Sequence, residues 1–140
     1  MEKITYAQMF DYLSDLFDNV KWSESTLIEV GNTLIERLTA ESDPEMVKHT
    51  SKIYDRLEVT EAMLNALHTL VLTHDVSDKL NLSPLTAVIH TYDRECTETL
   101  LSILSCTHQW QYKDIITENA ARFPELSAEE FLAELGTELK

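Results

Sequence analysis

The sequence predicts an all-α protein: a single helical domain over residues 1–140, a bundle of five or six helices around a long antiparallel central pair. Three observations carry that expectation. Only two Gly and three Pro occur in 140 residues, too few for a turn-rich sandwich or barrel. Apolar residues recur at helical spacing almost everywhere, and no stretch alternates with period two for long enough to form a strand. Helix-start signals of the Ser-x-Pro and Ser-x-x-Glu kind punctuate the chain between apolar runs. At 44% hydrophobic and 26% charged residues, the composition is that of a folded domain.

The first helix is read from Met9, Phe10, Leu13, Leu16, Phe17 and Val20, with Thr5 and Gln8 as a capping box. The second spans about 25–40, with Leu27, Ile28, Leu34, Ile35 and Leu38 on one face. Gly31 lies on that same stripe. Its helix cost, about 1 kcal/mol against Ala, implies that a neighbouring helix approaches closely there.

Ser42-Asp43-Pro44-Glu45 joins an N-cap, a proline in the first turn and an acid, and opens a long helix to about His74. Its stripe is Met46, Ile53, Leu57, Leu64, Leu67 and Val71, and its length makes an internal kink plausible. Asp75 to Leu82 reads as a short polar loop. Ser83-Pro84 then opens a second long helix, 84–110, antiparallel to the first, through Val88, Ile89, Tyr92, Cys96, Leu100, Ile103 and Leu104. Ile115, Ile116 and Ala120 mark a short helix that Pro124 ends. Ser127-x-x-Glu130 caps a terminal helix carrying Phe131, Leu132 and Leu135.

Tyr54-Asp55-Arg56, followed by Glu58 and Thr60-Glu61, is echoed by Tyr92-Asp93-Arg94, followed by Glu95 and Thr97-Glu98. A true duplication would relate the two central helices by a pseudo-twofold axis. The echo also supplies the enzymatic alternative. Glu58-x-x-Glu61 and Glu95-x-x-Glu98 place carboxylate pairs on two adjacent helices, where four could hold Mg²⁺ for phosphoryl chemistry. This resembles the all-α nucleotide pyrophosphohydrolases, whose doubled-acid opening and ExxD close are missing here. No HExxH, glycine-rich phosphate loop or nucleophile elbow occurs, so the expectation is no catalytic residue, no metal site and no cofactor. His68, near the apolar stripe, reads as a core or interface histidine.

Cys96 and Cys106 fall ten apart on one expected helix, about 15 Å, too far for a disulfide and in keeping with reduced thiols in the cytoplasm. Charges interrupt every apolar run at the N-terminus, so neither a signal peptide nor a membrane span is expected.

Charge points furthest. The chain holds 25 acids against 11 bases, a net charge of -14, which disfavours direct binding of nucleic acid or an anionic membrane. The imbalance is uneven: residues 1–47 carry ten acids against three bases, and residues 113–140 seven against three. Asp11, Asp15 and Asp18 share one helical face, and Glu130, Glu134 and Glu138 share another. Like charges at this spacing cost a few tenths of a kcal/mol per pair, so helix stability does not select them. Trp110 and Tyr112, after the fourth helix, are the expected aromatic anchors. The function expected is therefore non-catalytic binding: an inhibitor, immunity-type protein or adaptor that occupies a basic surface of a partner protein, as a nucleic-acid mimic does. A secretion-type chaperone or a self-assembling homodimer built on Gly31's face are further readings.

Overall fold

Residues 62–71 bury seven apolar side chains in ten positions, among them Met63, Leu64, Leu67 and Leu70 with no exposed surface. A helix that is apolar around most of its circumference must lie inside a bundle. These residues belong to α3 (Ile53–Thr73), which packs against α1 (Tyr6–Asn19), α2 (Glu24–Glu41) and α5 (Arg94–Cys106). The computed structural model describes residues 6–41, 53–74, 76–107 and 110–137. Within them lie three more α-helices: α4 (Ser83–Val88), α6 (Lys113–Ala121) and α7 (Ala128–Thr137). Seven helices and no strand make the described residues all-α.

α1 lies along α3, burying Phe10 and Phe17, seven residues apart. Where the two helices end, His74 Nε2 is 2.9 Å from Phe17 O and Thr73 Oγ1 donates to Asp18 Oδ1 at 3.0 Å. Trp22 closes this end. Its ring meets Phe17 at 5.3 Å between centroids, and its Nε1 donates to Leu16 O. α2 follows Ser23, whose Oγ accepts from Thr26 N, and buries Leu27, Leu34, Ile35 and Leu38.

The segment after α3 differs from the polar loop expected. It contains a 3-10 turn, Ser77–Lys79, and buries Val76, Leu80 and Leu82. Leu80 is what approaches Gly31: a Cβ there would stand 2.7 Å from Leu80 Cδ2. The close approach is real, but it comes from this connection and not from a helix. A Lys79–Glu24 ion pair and Asn81 N donating to Asn32 Oδ1 tie the connection to α2.

The helix expected over 84–110 is two helices. α4 passes into a 3-10 turn, Ile89–Thr91, Tyr92 is extended (ψ 149°), and Asp93 is the N-cap of α5, its carboxylate accepting from Cys96 N at 2.9 Å. An aspartate that bonds the N3 amide favours starting a helix over continuing one. Nor is Ser83 a cap: it is the first residue of α4, behind Leu82, with Pro84 in the first turn.

Arg122, at the C-cap of α6, holds the break open. One guanidinium nitrogen donates to Ile89 O (3.2 Å) and Asn119 Oδ1 (2.9 Å), the other to His90 O (3.3 Å) and Tyr92 O (3.1 Å). Carbonyls left without partners where a helix ends thus gain a fixed, charged donor. Arg94 reaches the following connection through Glu125 at 3.4 Å. α7 begins as expected, with Ser127 Oγ accepting from Glu130 N. The expected caps at Thr5 and at 42–45 lie outside the described residues, and α3 is one continuous helix over its described span.

Candidate functional site

Helix α1 must bury Phe10 and Phe17, and this rotation fixes what its other faces show. Asp11, Asp15 and Asp18 are all exposed, on the flank away from the core. The Asp11 and Asp15 carboxylates have no hydrogen bond or ion pair among the described residues, although Asp15 O accepts from Asn19 Nδ2, whereas the Asp18 carboxylate also serves the fold through Thr73. Beside the acids lie exposed apolar groups: Met9 (46%), Tyr12 (64%) and, just past the helix, Val20 (47%). Leu72, on the neighbouring α3, is the remaining large hydrophobic exposed among the described residues. Tyr12 follows Met9 by three positions and precedes Asp15 by three, so ring and carboxylate are neighbours on one face. Exposed Met9 and Tyr12 thus share one helix with the acids.

The other predicted residues divide. Glu130 is exposed on the first turn of α7, while the side chain of Glu134 and all of Glu138 lie outside the described residues. Tyr112 is corrected. At 5% exposure its ring belongs to the core, because the 3-10 turn Trp110–Tyr112 leads directly into α6 and turns the ring inward. It is no surface anchor. The side chain of Trp110 lies outside the described residues. Tyr12 is the exposed aromatic ring that sequence reasoning missed; its signal was an aromatic residue off the Phe10–Leu13–Phe17 stripe, flanked by two acids.

The carboxylates on α3 and α5 take different places. Glu98 pairs with Arg94 at 3.5 Å on its own helix, Glu95 is exposed, and the side chain of Glu58 lies outside the described residues. Among the described residues no three His, Cys, Asp or Glu side chains stand together as a metal site. Glu61 does approach Cys96. Burial first, then the charges of Asp93, Glu61 and Glu95 and a hydrogen bond to Asp93, raise that thiol far above its ordinary range. A thiol held protonated is a poor nucleophile. Neither Cys96 nor Cys106 is in a disulfide, and Cys106 is half-buried. Thr60 and Thr97, matching positions of the echoed motif on two packed helices, each bury a hydroxyl with no hydrogen-bond partner.

Two concavities lie on the described surface. The larger, about 380 Å³, runs between α1 and α2 over Phe10, Leu13, Val30 and Leu34, with Glu29 and Arg37 among its polar residues. The smaller, about 330 Å³, lies against Asn32, Glu36, Asn81 and Pro84. No helix among the described residues is long and apolar enough to cross a membrane. No known protein family, curated protein or solved structure matches the chain.

Proposed function

We propose that this chain is a non-catalytic acidic binding protein that acts in the cytoplasm by covering a basic surface of a partner protein, as an inhibitor, immunity-type protein or adaptor does. The observation that carries this reading is the composition of α1: Asp11 and Asp15, whose carboxylates have no partner among the described residues, beside exposed Met9 and Tyr12. The net charge of -14 attracts a basic partner from a distance and raises the encounter rate. Once docked, Tyr12 and Met9 supply the apolar area that slows dissociation, a tyrosine being a rigid anchor with few torsions to freeze.

The two contributions separate kinetically. The partner is retained on immobilised protein from host extract at low salt, identified, and its binding timed. Asp11→Asn with Asp15→Asn should slow association and flatten its dependence on ionic strength. Tyr12→Ala should mainly accelerate dissociation, by about tenfold or more if Tyr12 is a central anchor. A partner whose association is equally fast at low and high salt, and whose dissociation ignores Tyr12, would refute the proposal.

A further inference from the structure

The groove between α1 and α2 makes a narrower demand than the α1 face does. Its floor is apolar, Phe10 and Leu34 buried with Leu13 and Val30 half-buried above them. Its threonines are already engaged: Thr33 Oγ1 donates to Glu29 O at 2.9 Å, and Thr26 Oγ1 accepts from Ser23 Oγ at 2.7 Å. Two charges stay unmatched among the described residues, the Glu29 carboxylate and the Arg37 guanidinium. Eight residues along one helix separates them by about 12 Å, and the wall from Thr26 to Arg37 is about 16 Å long.

These dimensions suit a helix of three turns: an apolar stripe on the floor and two opposite charges about two turns apart. We propose that the groove receives such an amphipathic helix from the partner protein, with a Lys or Arg against Glu29 and an Asp or Glu against Arg37. A second copy of this chain fits poorly through its own exposed apolar helix, because α1 offers acids and no cation for Glu29. The inference rests on the reading of this protein as a partner-binding molecule and names the element it grips.

The test uses the full chain and three fluorescent, helix-favouring peptides of one sequence. They carry the same leucine stripe and differ only at two positions eight apart, occupied by Lys and Glu, Lys and Lys, or Glu and Glu. Arg37→Glu should weaken the Lys/Glu peptide by about threefold and strengthen the Lys/Lys peptide by a similar factor, the size expected of one exposed ion pair. Val30→Asp should abolish binding of all three. Thr33→Tyr, at an exposed position of the wall that leaves the core untouched, should do so without loss of fold, checked by helical circular dichroism. Tyr12→Ala should leave peptide binding unchanged.

No saturable binding of any peptide, or binding indifferent to both Thr33→Tyr and Arg37→Glu, would overturn the proposal. So would decanoate filling the groove through Arg37 and displacing the peptide, which would assign the groove to a small carboxylate amphiphile. A partner that needs Tyr12 and Asp15 but ignores Val30 and Thr33 removes the groove and leaves the α1 reading intact. Capture that depends on Thr33 but not on Tyr12 does the reverse.

Discussion

Replacing Arg122 by Lys keeps the charge and most of the side-chain length but removes the fork, so it isolates what the guanidinium does between α4 and α5. Four acceptors converge on it, at 2.9 to 3.3 Å. They are not equally dependent. His90 O is exposed and can take water instead, and Ile89 O also accepts from Tyr92 N at 3.0 Å. Tyr92 O and the Asn119 side chain rely more on Arg122, and Asn119 is 6% exposed. At about 0.5–1.5 kcal/mol per bond, and more for a charged donor, the loss in Arg122→Met sums to about 2–3 kcal/mol. With about 2.1 cal/mol/K of unfolding entropy per residue, that is a fall in Tm of about 7–10 °C for a chain of this size. One ammonium cannot serve opposite sides of the turn together, so Arg122→Lys should recover less than half of the loss. Thermal melts followed by circular dichroism measure both variants. Native-state amide exchange should quicken first at the start of α5, where Asp93 caps the helix. If Arg122→Met melts within about 1 °C of the wild type, the four contacts do not hold the break, and the reasoning fails.

Gly31→Ala sets a helix-propensity gain of about 1 kcal/mol against overpacking of about 1–3 kcal/mol, since the new methyl lies 2.7 Å from Leu80 Cδ2. The net expectation is a loss of up to about 2 kcal/mol that turns into a gain in a Leu80→Ala background, measured as a double-mutant cycle in urea. Thr97→Val keeps the volume of a fully buried side chain and removes a hydroxyl without a partner, so it should raise the unfolding free energy by about 1 kcal/mol, seen as a higher urea midpoint at unchanged slope. An unchanged or lower midpoint would mean the hydroxyl is satisfied in solution. In the native protein a maleimide should label Cys106 and spare Cys96, whose buried thiol stays protonated; equal rates would contradict that burial. The same shift sets a pH dependence. The pKa of Cys96 is higher folded than unfolded, so its contribution is complete below the ordinary thiol pKa and declines as pH rises above about 8.5. Wild-type stability should therefore fall more steeply than that of Cys96→Ala between pH 8 and about 10, and parallel curves would refute the assignment.

The helical class, most buried positions and the acidic flank of α1 were legible in the sequence, because they depend on local periodicity, although Met9 and Val20, read on the apolar stripe of α1, are exposed. Once Phe10 and Phe17 turn inward, the positions of Asp11, Asp15 and Asp18 follow from 100° per residue. The break between α4 and α5 was half legible. Asp93 is a good N-cap, but the apolar stripe from Val88 to Leu104 runs through it without a change of spacing. What decides for the break is Arg122, about thirty residues away, which supplies donors that a local pattern cannot display. Tyr112 shows the same limit: an aromatic residue after a helix is an anchor or a core ring according to the turn that follows it, and here that turn buries it. The sequence by itself determined the helical class, most of the buried stripes and the charge, since each depends on composition or on residues within a few positions of one another. Only the tertiary structure decided that Leu80 fills the space beside Gly31, that Tyr12 stays in water, and that α1 and α2 leave a groove between Glu29 and Arg37. Those outcomes are set by contacts between residues far apart in the chain, whose closure depends on packing volume and not on periodicity.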